Sequence, residues 1–353
     1  MRDNGVSIAK GIAIILVVMV HSRCPEFIRH CFEMVVIPPF FFMSGYCFKE
    51  KYLNDTWSFA KKRVTGIYWP YVKWSLLFLL LHNVFFYLNI YNGEYGFNGK
   101  VSALYSISDY LSHAISIITK MGGHEQLLGA YWFMKLLFVG SFIFFFVVKI
   151  LRSSLWGLII LLALTVCLSF FDWNIPYFHI GTRECFAAFF IYVGYLYKFH
   201  QLDWHRSPLL WCVAAILVAI GSKYWFTNMH DYEYWIPIPY TITVTSMILS
   251  VFYLSQRIAE KSDNRVTRFL IFTGDHTMEV LTWHFLSLKI VSLLLIFLYG
   301  LSINQLSEFP VIEQYATQGW WIVYLIIGVG VPVGGTYLYH TLREKINHNI
   351  CKQ

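Results

Sequence analysis

Residues 7–22 read Ser7-Ile-Ala-Lys10-Gly-Ile-Ala-Ile-Ile-Leu-Val-Val-Met-Val-His21-Ser22. No polar side chain interrupts Gly11 to Val20, whereas an ionisable residue stands at either end of that run. A charged start followed by a short apolar core is also the outline of a secretory leader. Here the core runs into His21-Ser-Arg-Cys-Pro25, which offers no small-residue cleavage site. The stretch therefore reads as an uncleaved first membrane span.

The rest of the chain has the same character. Of 353 residues, 57% are apolar and 13% are charged, with a mean hydropathy of +0.54. Soluble domains carry roughly 25% charged residues, so this chain lacks the polar side chains to cover a water-facing surface. Its 24 Tyr and 13 Trp suit a protein that anchors at two membrane interfaces. No long polar stretch leaves room for a separate soluble domain, and 1–353 reads as one transmembrane unit.

A span needs about 20 mostly apolar residues. Ten such stretches are predicted, over 7–22, 32–48, 68–90, 130–149, 154–171, 182–198, 208–226, 237–256, 276–299 and 319–341. The second is short and broken by Pro38-Pro39. Continuous apolar runs without alternation exclude barrel strands. The expected fold is all-α, a polytopic membrane protein of about ten helices.

Placing the N-terminus inside puts 18 of the 27 Lys and Arg residues in inner segments and three within spans. The six left outside are Arg23, Arg29, Lys100, Lys120, Arg183 and Lys223. That bias, with the even span count, predicts both termini cytoplasmic. In the largest outer segment, 91–129, Ile107, Tyr110, Leu111, Ala114, Ile115 and Ile118 follow helical spacing. A helix lying on the outer membrane surface is expected there.

Seven cysteines are scattered, and Cys47, Cys167, Cys185 and Cys212 lie in apolar runs. Cys24 and Cys31 share one short loop, where a periplasmic disulfide and two free thiols are both compatible with the sequence. No Cys/His spacing points to zinc.

Lys10 and His21 are eleven residues apart, which is about three helical turns and about 16 Å of rise on nearly one face. Ionisable residues in a span are functional candidates because burial in hydrocarbon is costly. Alternatively, Lys10 snorkels from the helix end and His21 sits at the interface. His284 lies within the ninth span, with Glu279 and Lys289 about a turn away on either side, a grouping that reads as a polar pocket. Trp132 and Lys135 open the fourth span. Arg183-Glu184 reads as a local ion pair, or as a carbohydrate contact together with Trp173 and Tyr177.

Five motifs occur in order: Lys10-x10-His21, Phe40-Phe-Phe-Met-Ser-Gly-Tyr46, Lys62-Arg63 leading to Tyr68-Trp-Pro-Tyr71, Tyr131-Trp-Phe133, and Thr273-Gly with His284. In that order they resemble the acyltransferase 3 family, membrane O-acyltransferases that modify bacterial surface glycans. The wording of 10–18 is closest to its fucose 4-O-acetylase-like branch. The resemblance implies His21 as the catalytic histidine; a carboxylate often orients such a histidine, and Glu33, at the outer start of the second span, is the candidate. Lys10, Lys62 and Arg63 would then bind the acyl-CoA, and Ser44, Tyr46, Trp132, Lys135 and His284 would be pocket residues. Two positions depart from the family. Lys10 replaces the usual Arg and loses its planar fork, and Ser7 stands where an Asp is usual.

The resemblance further implies acetyl-CoA as donor substrate, no tightly bound cofactor, no metal and no nucleic-acid partner. The acceptor would be a carbohydrate or lipid-linked glycan, with membrane lipid around the protein, in the bacterial inner membrane. A neutral imidazole suits removal of a sugar hydroxyl proton. The competing reading is a glycan or lipid-linked glycan flippase. Such transporters often pair broken helices across two halves, and only the Pro38-Pro39 break is seen here.

Overall fold

The computed structural model describes residues 3–34, 36–97, 101–224, 229, 237–261 and 264–350. Arg2, Lys100 and Lys352 of the charge count, and 225–226 of the seventh expected span, lie outside them. Every regular element among the described residues is helical; Ile175 and Ile180 form an isolated bridge.

In chain order the helices are α1 (Asn4–His21), α2 (Glu26–Glu33), α3 (Pro38–Tyr46), α4 (Thr56–Arg63), α5 (Trp69–Leu80) and α6 (His82–Tyr87). Then come α7 (Ile107–Lys120), α8 (Trp132–Leu151), α9 (Trp156–Phe170), α10 (Thr182–Phe199) and α11 (Pro208–Tyr224). The chain closes with α12 (Pro237–Lys261), α13 (Arg265–Asp275), α14 (Thr277–Tyr299), the single turn α15 (Glu313–Tyr315) and α16 (Trp321–Ile350).

A helix stands at each of the ten expected places. Among the described residues, six segments are long and apolar enough to cross a membrane: 4–21, 26–46, 126–151, 238–260, 277–299 and 313–346. The second is α2 and α3 in series, interrupted ahead of Pro38 and Pro39, which open α3 where their missing N–H groups cost least. Helix α9 has 15 residues, short of the about 20 needed for hydrocarbon about 30 Å thick, and α11 has 17 among the described residues. The expected span over 68–90 is divided, because α5 ends at Leu80 and α6 begins at His82. Helix α10 is long enough, yet it carries Arg183, Glu184 and Lys198 and buries nearly all of its length.

Local chemistry explains the irregularities. Pro70 cannot donate to the carbonyl one turn back, and the segment Val64–Tyr68 just before it widens into a π turn. Helix α16 contains Pro332, and the Thr336 hydroxyl donates to the Pro332 carbonyl at 2.8 Å. Helix α7 confirms the expected amphipathic helix. Ser106 and Asp109 form a capping box at its start, and Ile107, Leu111, Ile115 and Ile118 all remain exposed on its outer side.

Two close helix crossings fix the site. Helix α1 packs on α13 and α12, while α10 packs on α3, α8 and α9. A Cβ on Gly274 would lie 1.7 Å from the Ser7 carbonyl oxygen, and one on Gly11 would lie 2.3 Å from that of Leu270. At the second crossing, a Cβ on Gly45 would meet the Ile191 oxygen at 1.7 Å, and one on Gly194 would meet that of Phe42 at 2.0 Å. Small residues let backbones approach within the membrane, where packing replaces the hydrophobic drive. The stretch 265–275 was expected to be an inner loop; it is instead the helix that makes this contact with α1. Both thiols of the Cys24–Cys31 loop are free, and the Cys31 thiol lies 3.5 Å from the Ser222 hydroxyl.

Gly194→Val is expected to destabilise the protein by at least about 1–3 kcal/mol, the cost of overpacking against backbone. Gly334→Ala, whose added methyl meets open space, is expected to be neutral. Melting temperatures of the two variants in one detergent check this.

Candidate functional site

Helix α1 runs unbroken from Asn4 to His21 and delivers His21 to the wall of a cavity of about 1170 Å³. The cavity is bounded by α1, α2, the turn before α8, the stretch leading into α10 and the start of α10 itself. His21 is half-buried there. Its ring stacks on that of His284 at 5.5 Å between centroids, with 28° between planes, and leans on Phe285 at 4.7 Å.

His284 is fully buried behind this wall. Its Nδ1 lies 3.0 Å from the Leu281 carbonyl and 3.1 Å from that of Val280. Both are acceptors, so Nδ1 carries the hydrogen and Nε2 is left as a lone-pair acceptor. That Nε2 is buried and has no hydrogen-bond partner. The site thus places one imidazole facing the cavity and a second, of fixed tautomer, behind it. Phe285 continues the wall to Phe309 at 4.7 Å and on to Phe97 at 5.3 Å.

Other expected residues divide between the two ends of the bundle. Glu33, Trp132 and Lys135 line the same cavity as His21. Glu33 faces Arg29 at 3.7 Å, so the ring beside His21 belongs to His284. The Lys135 ammonium donates to the Phe178 carbonyl at 2.5 Å. Arg183, Glu184 and Trp173 reach this cavity too, whereas Tyr177 lies outside it, under the Lys120 ammonium at 3.9 Å.

Ser44 and Tyr46 do not line the His21 cavity. The Ser44 hydroxyl is buried without a partner, and Tyr46 lies beneath the Lys198 ammonium at 4.8 Å. Cys47, next along, is within electrostatic reach of Lys10, Lys62 and Lys198, and Arg63 is within reach of Cys47. The Arg63 guanidinium covers Phe59 at 5.2 Å, and the Lys62 ammonium sits 5.7 Å over Tyr52. Lys10, Lys62 and Lys198 thus share the neighbourhood of Cys47 with Asp3, and Arg63 stands within reach of the same thiol, at the end of α1 remote from His21.

The pocket expected around His284, Glu279 and Lys289 is two separate environments. Five residues turn a helix through about 140° beyond one full turn, so neither neighbour shares the His284 face. Glu279 and Lys289 line a lateral groove of about 900 Å³ with Trp74 and Trp283, and the Lys289 ammonium donates to the Glu308 carbonyl at 2.5 Å. Ser7, in place of the family's usual Asp, donates its hydroxyl to the Asp275 carboxylate at 2.7 Å. A carboxylate thus reaches this position from α13.

One feature escaped sequence reasoning. His82, completely buried, places Nδ1 3.2 Å from both Glu125 oxygens and Nε2 3.0 Å from the Ala103 carbonyl, with Tyr105 stacked on its ring at 3.4 Å. With an acceptor facing each ring nitrogen, the pair must hold two protons between them. Burial pushes the Glu125 carboxyl up from its ordinary range, and Glu125 lines the His21 cavity. An ionisable His82 within the predicted third span was the available signal. Among the described residues no group of three or more His, Cys, Asp or Glu could hold a metal.

Residues 3–340 match the family model described as an acyltransferase domain, Acyl_transf_3. The chain belongs to the acyltransferase 3 family. Comparison with curated proteins and with solved structures gives no match. Family membership and the six apolar helices together make this a membrane acyltransferase.

Removing one partner of the buried pair strands the other, at a typical cost of about 3–5 kcal/mol. His82→Ala is therefore expected to lower the melting temperature sharply. His113→Ala, on the half-exposed ring nearby, is expected to leave it nearly unchanged, and thermal unfolding in detergent distinguishes the two.

Proposed function

We propose that the protein moves an acetyl or other small acyl group from cytoplasmic acetyl-CoA to a hydroxyl of a surface or lipid-linked glycan. The observation that carries this reading is the polarity of α1. One end holds His21 in a large cavity lined by charged and apolar side chains, and the other end holds Lys10 near Lys62, Lys198 and Arg63, with Asp3 beside them. About 16 Å of helix separates them, similar to the reach of an extended pantetheine arm.

The basic cluster suits the phosphates of coenzyme A, with Arg63 the one fork able to grip a phosphate in two places. The excess of Lys and Arg in inner segments puts that cluster, and both termini, on the cytoplasmic side. In a bacterial cell the membrane would be the inner one. The likeness of 10–18 to the fucose 4-O-acetylase-like branch supports acetyl as the group and a sugar hydroxyl as acceptor.

In the step itself, the acceptor oxygen attacks the thioester carbonyl carbon. The C–S bond breaks as the C–O bond forms, and His21 takes the hydroxyl proton and returns it to the departing thiolate. His284, its ring fixed by the Nδ1 hydrogen bond to backbone carbonyls, stacks on His21 and holds the reacting imidazole in place. Glu33, Trp132 and Lys135 furnish the acceptor side of the cavity.

Loss of a histidine base costs about 10²–10⁴-fold. His21→Ala is therefore expected to lower acetyl transfer by that factor while the protein stays in the membrane at its normal level. Glycan O-acetyl content of cells carrying the variant measures it, and unchanged content would sink the proposal.

A further inference from the structure

The outer side of this chain is poor in cations. By the charge count only six Lys and Arg residues fall there, and Arg23, Arg29 and Arg183 all line the His21 cavity, joined by Lys135 from α8. A positive-inside protein that concentrates its few outer arginines around one cavity is using them for something other than topology.

Four carboxylates share this cavity, and three of them are engaged. Glu125 is held by His82, Glu184 accepts the Gly181 N–H at 2.9 Å as the cap of α10, and Glu33 faces Arg29. Asp172 stands on the far side with Trp173. The arginines are engaged only loosely. Arg23 approaches Glu313 at 3.7 Å and Arg29 approaches Glu33 at 3.7 Å, both beyond hydrogen-bond distance. The Nε of each is buried and has no hydrogen-bond partner. A guanidinium fork desolvated on one edge is a strong site for a planar or tetrahedral oxyanion.

Position adds to this. Arg23 follows His21 by two residues and is within electrostatic reach of it. Its backbone is in the left-handed region, at φ 57°, which a residue with a Cβ adopts only at a cost. The chain thus bends abruptly after α1 and turns Arg23 into the same cavity instead of continuing the helix away from it. Trp132 and Trp173 line the same cavity, and indole is a side chain suited to stacking on a sugar ring.

We propose that the acyl acceptor is anionic: a glycan bearing a carboxylate or a phosphate, which Arg23 and Arg29 hold so that a neighbouring hydroxyl lies against His21. This rests on the reading of His21 as the acyl-transfer residue. Arg183 and Lys135 extend the positive wall towards the part of the glycan that leaves the cavity.

The test is binding of three matched probes, glucose, glucuronate and glucose 1-phosphate, to the full-length protein in detergent, by saturation-transfer NMR. At least one anionic probe is expected to bind ~10-fold or more tighter than glucose, as charge-assisted contacts predict. Which of the two binds tighter separates carboxylate from phosphate. Arg29→Gln and Arg23→Gln are expected to abolish that preference while leaving glucose binding unchanged. Arg29→Lys is expected to retain part of it.

Equal binding of all three probes, binding of none, or an equal loss for glucose and the anions in the glutamine variants would overturn the inference. The underlying acyltransferase reading is checked separately by acetyl-CoA cleavage in wild type and His21→Ala without any glycan. If the glutamine variants lost that cleavage as His21→Ala does, the arginines would belong to the donor side and the inference would also fall.

Discussion

In hydrocarbon no water is present to receive a backbone N–H or C=O, and each unsatisfied group costs several kcal/mol. That constraint shapes the whole molecule. It turns nearly every apolar run into helix, and the non-helical segments 121–125 and 172–181 contribute residues to the lining of the His21 cavity. It also makes buried polar groups expensive unless paired. Those of this chain are gathered at a few places: His21 with His284, His82 with Glu125, and Ser7 with Asp275.

The glycine crossings serve the same end. Gly11 and Gly274 draw α1 and α13 together, and Gly45 and Gly194 do so for α3 and α10. With α1 pinned at its N-terminal half by α13, its C-terminal end projects His21 onto α14, where His284 and Phe285 receive it. The geometry around His21 is thereby set by backbone packing nearer the other end of the helix.

Much of this was legible in the sequence, for physical reasons. Apolar runs near 20 residues have few alternatives to helix, and the Lys10 to His21 spacing survives because α1 is straight and continuous. What failed did so where three dimensions decide. Glu279 and Lys289 are near His284 in sequence, but each lies about 140° from it around α14. Ser44 and Tyr46 follow a motif in α3, yet Tyr46 turns toward Lys198 at the other end of the bundle. The segment 265–275 lacks the apolar length of a span and was read as loop, though Gly274 marks a close crossing. His82 and Glu125 are 43 residues apart, a pairing that periodicity does not reveal. Family resemblance raised His21 above the other intramembrane histidines, and the stacked ring of His284 gives that choice a local geometry.

The central claim is that α1 links a donor site on the cytoplasmic face to an acceptor site on the opposite one. Sealed vesicles of known protein orientation, with labelled acetyl-CoA supplied on one side only, test it most directly. Label should reach glycan on the side opposite the acetyl-CoA, only when acetyl-CoA faces the termini, and not in His21→Ala. Transfer confined to glycan on the same side as the acetyl-CoA, or equal transfer from either side of intact vesicles, would contradict the account.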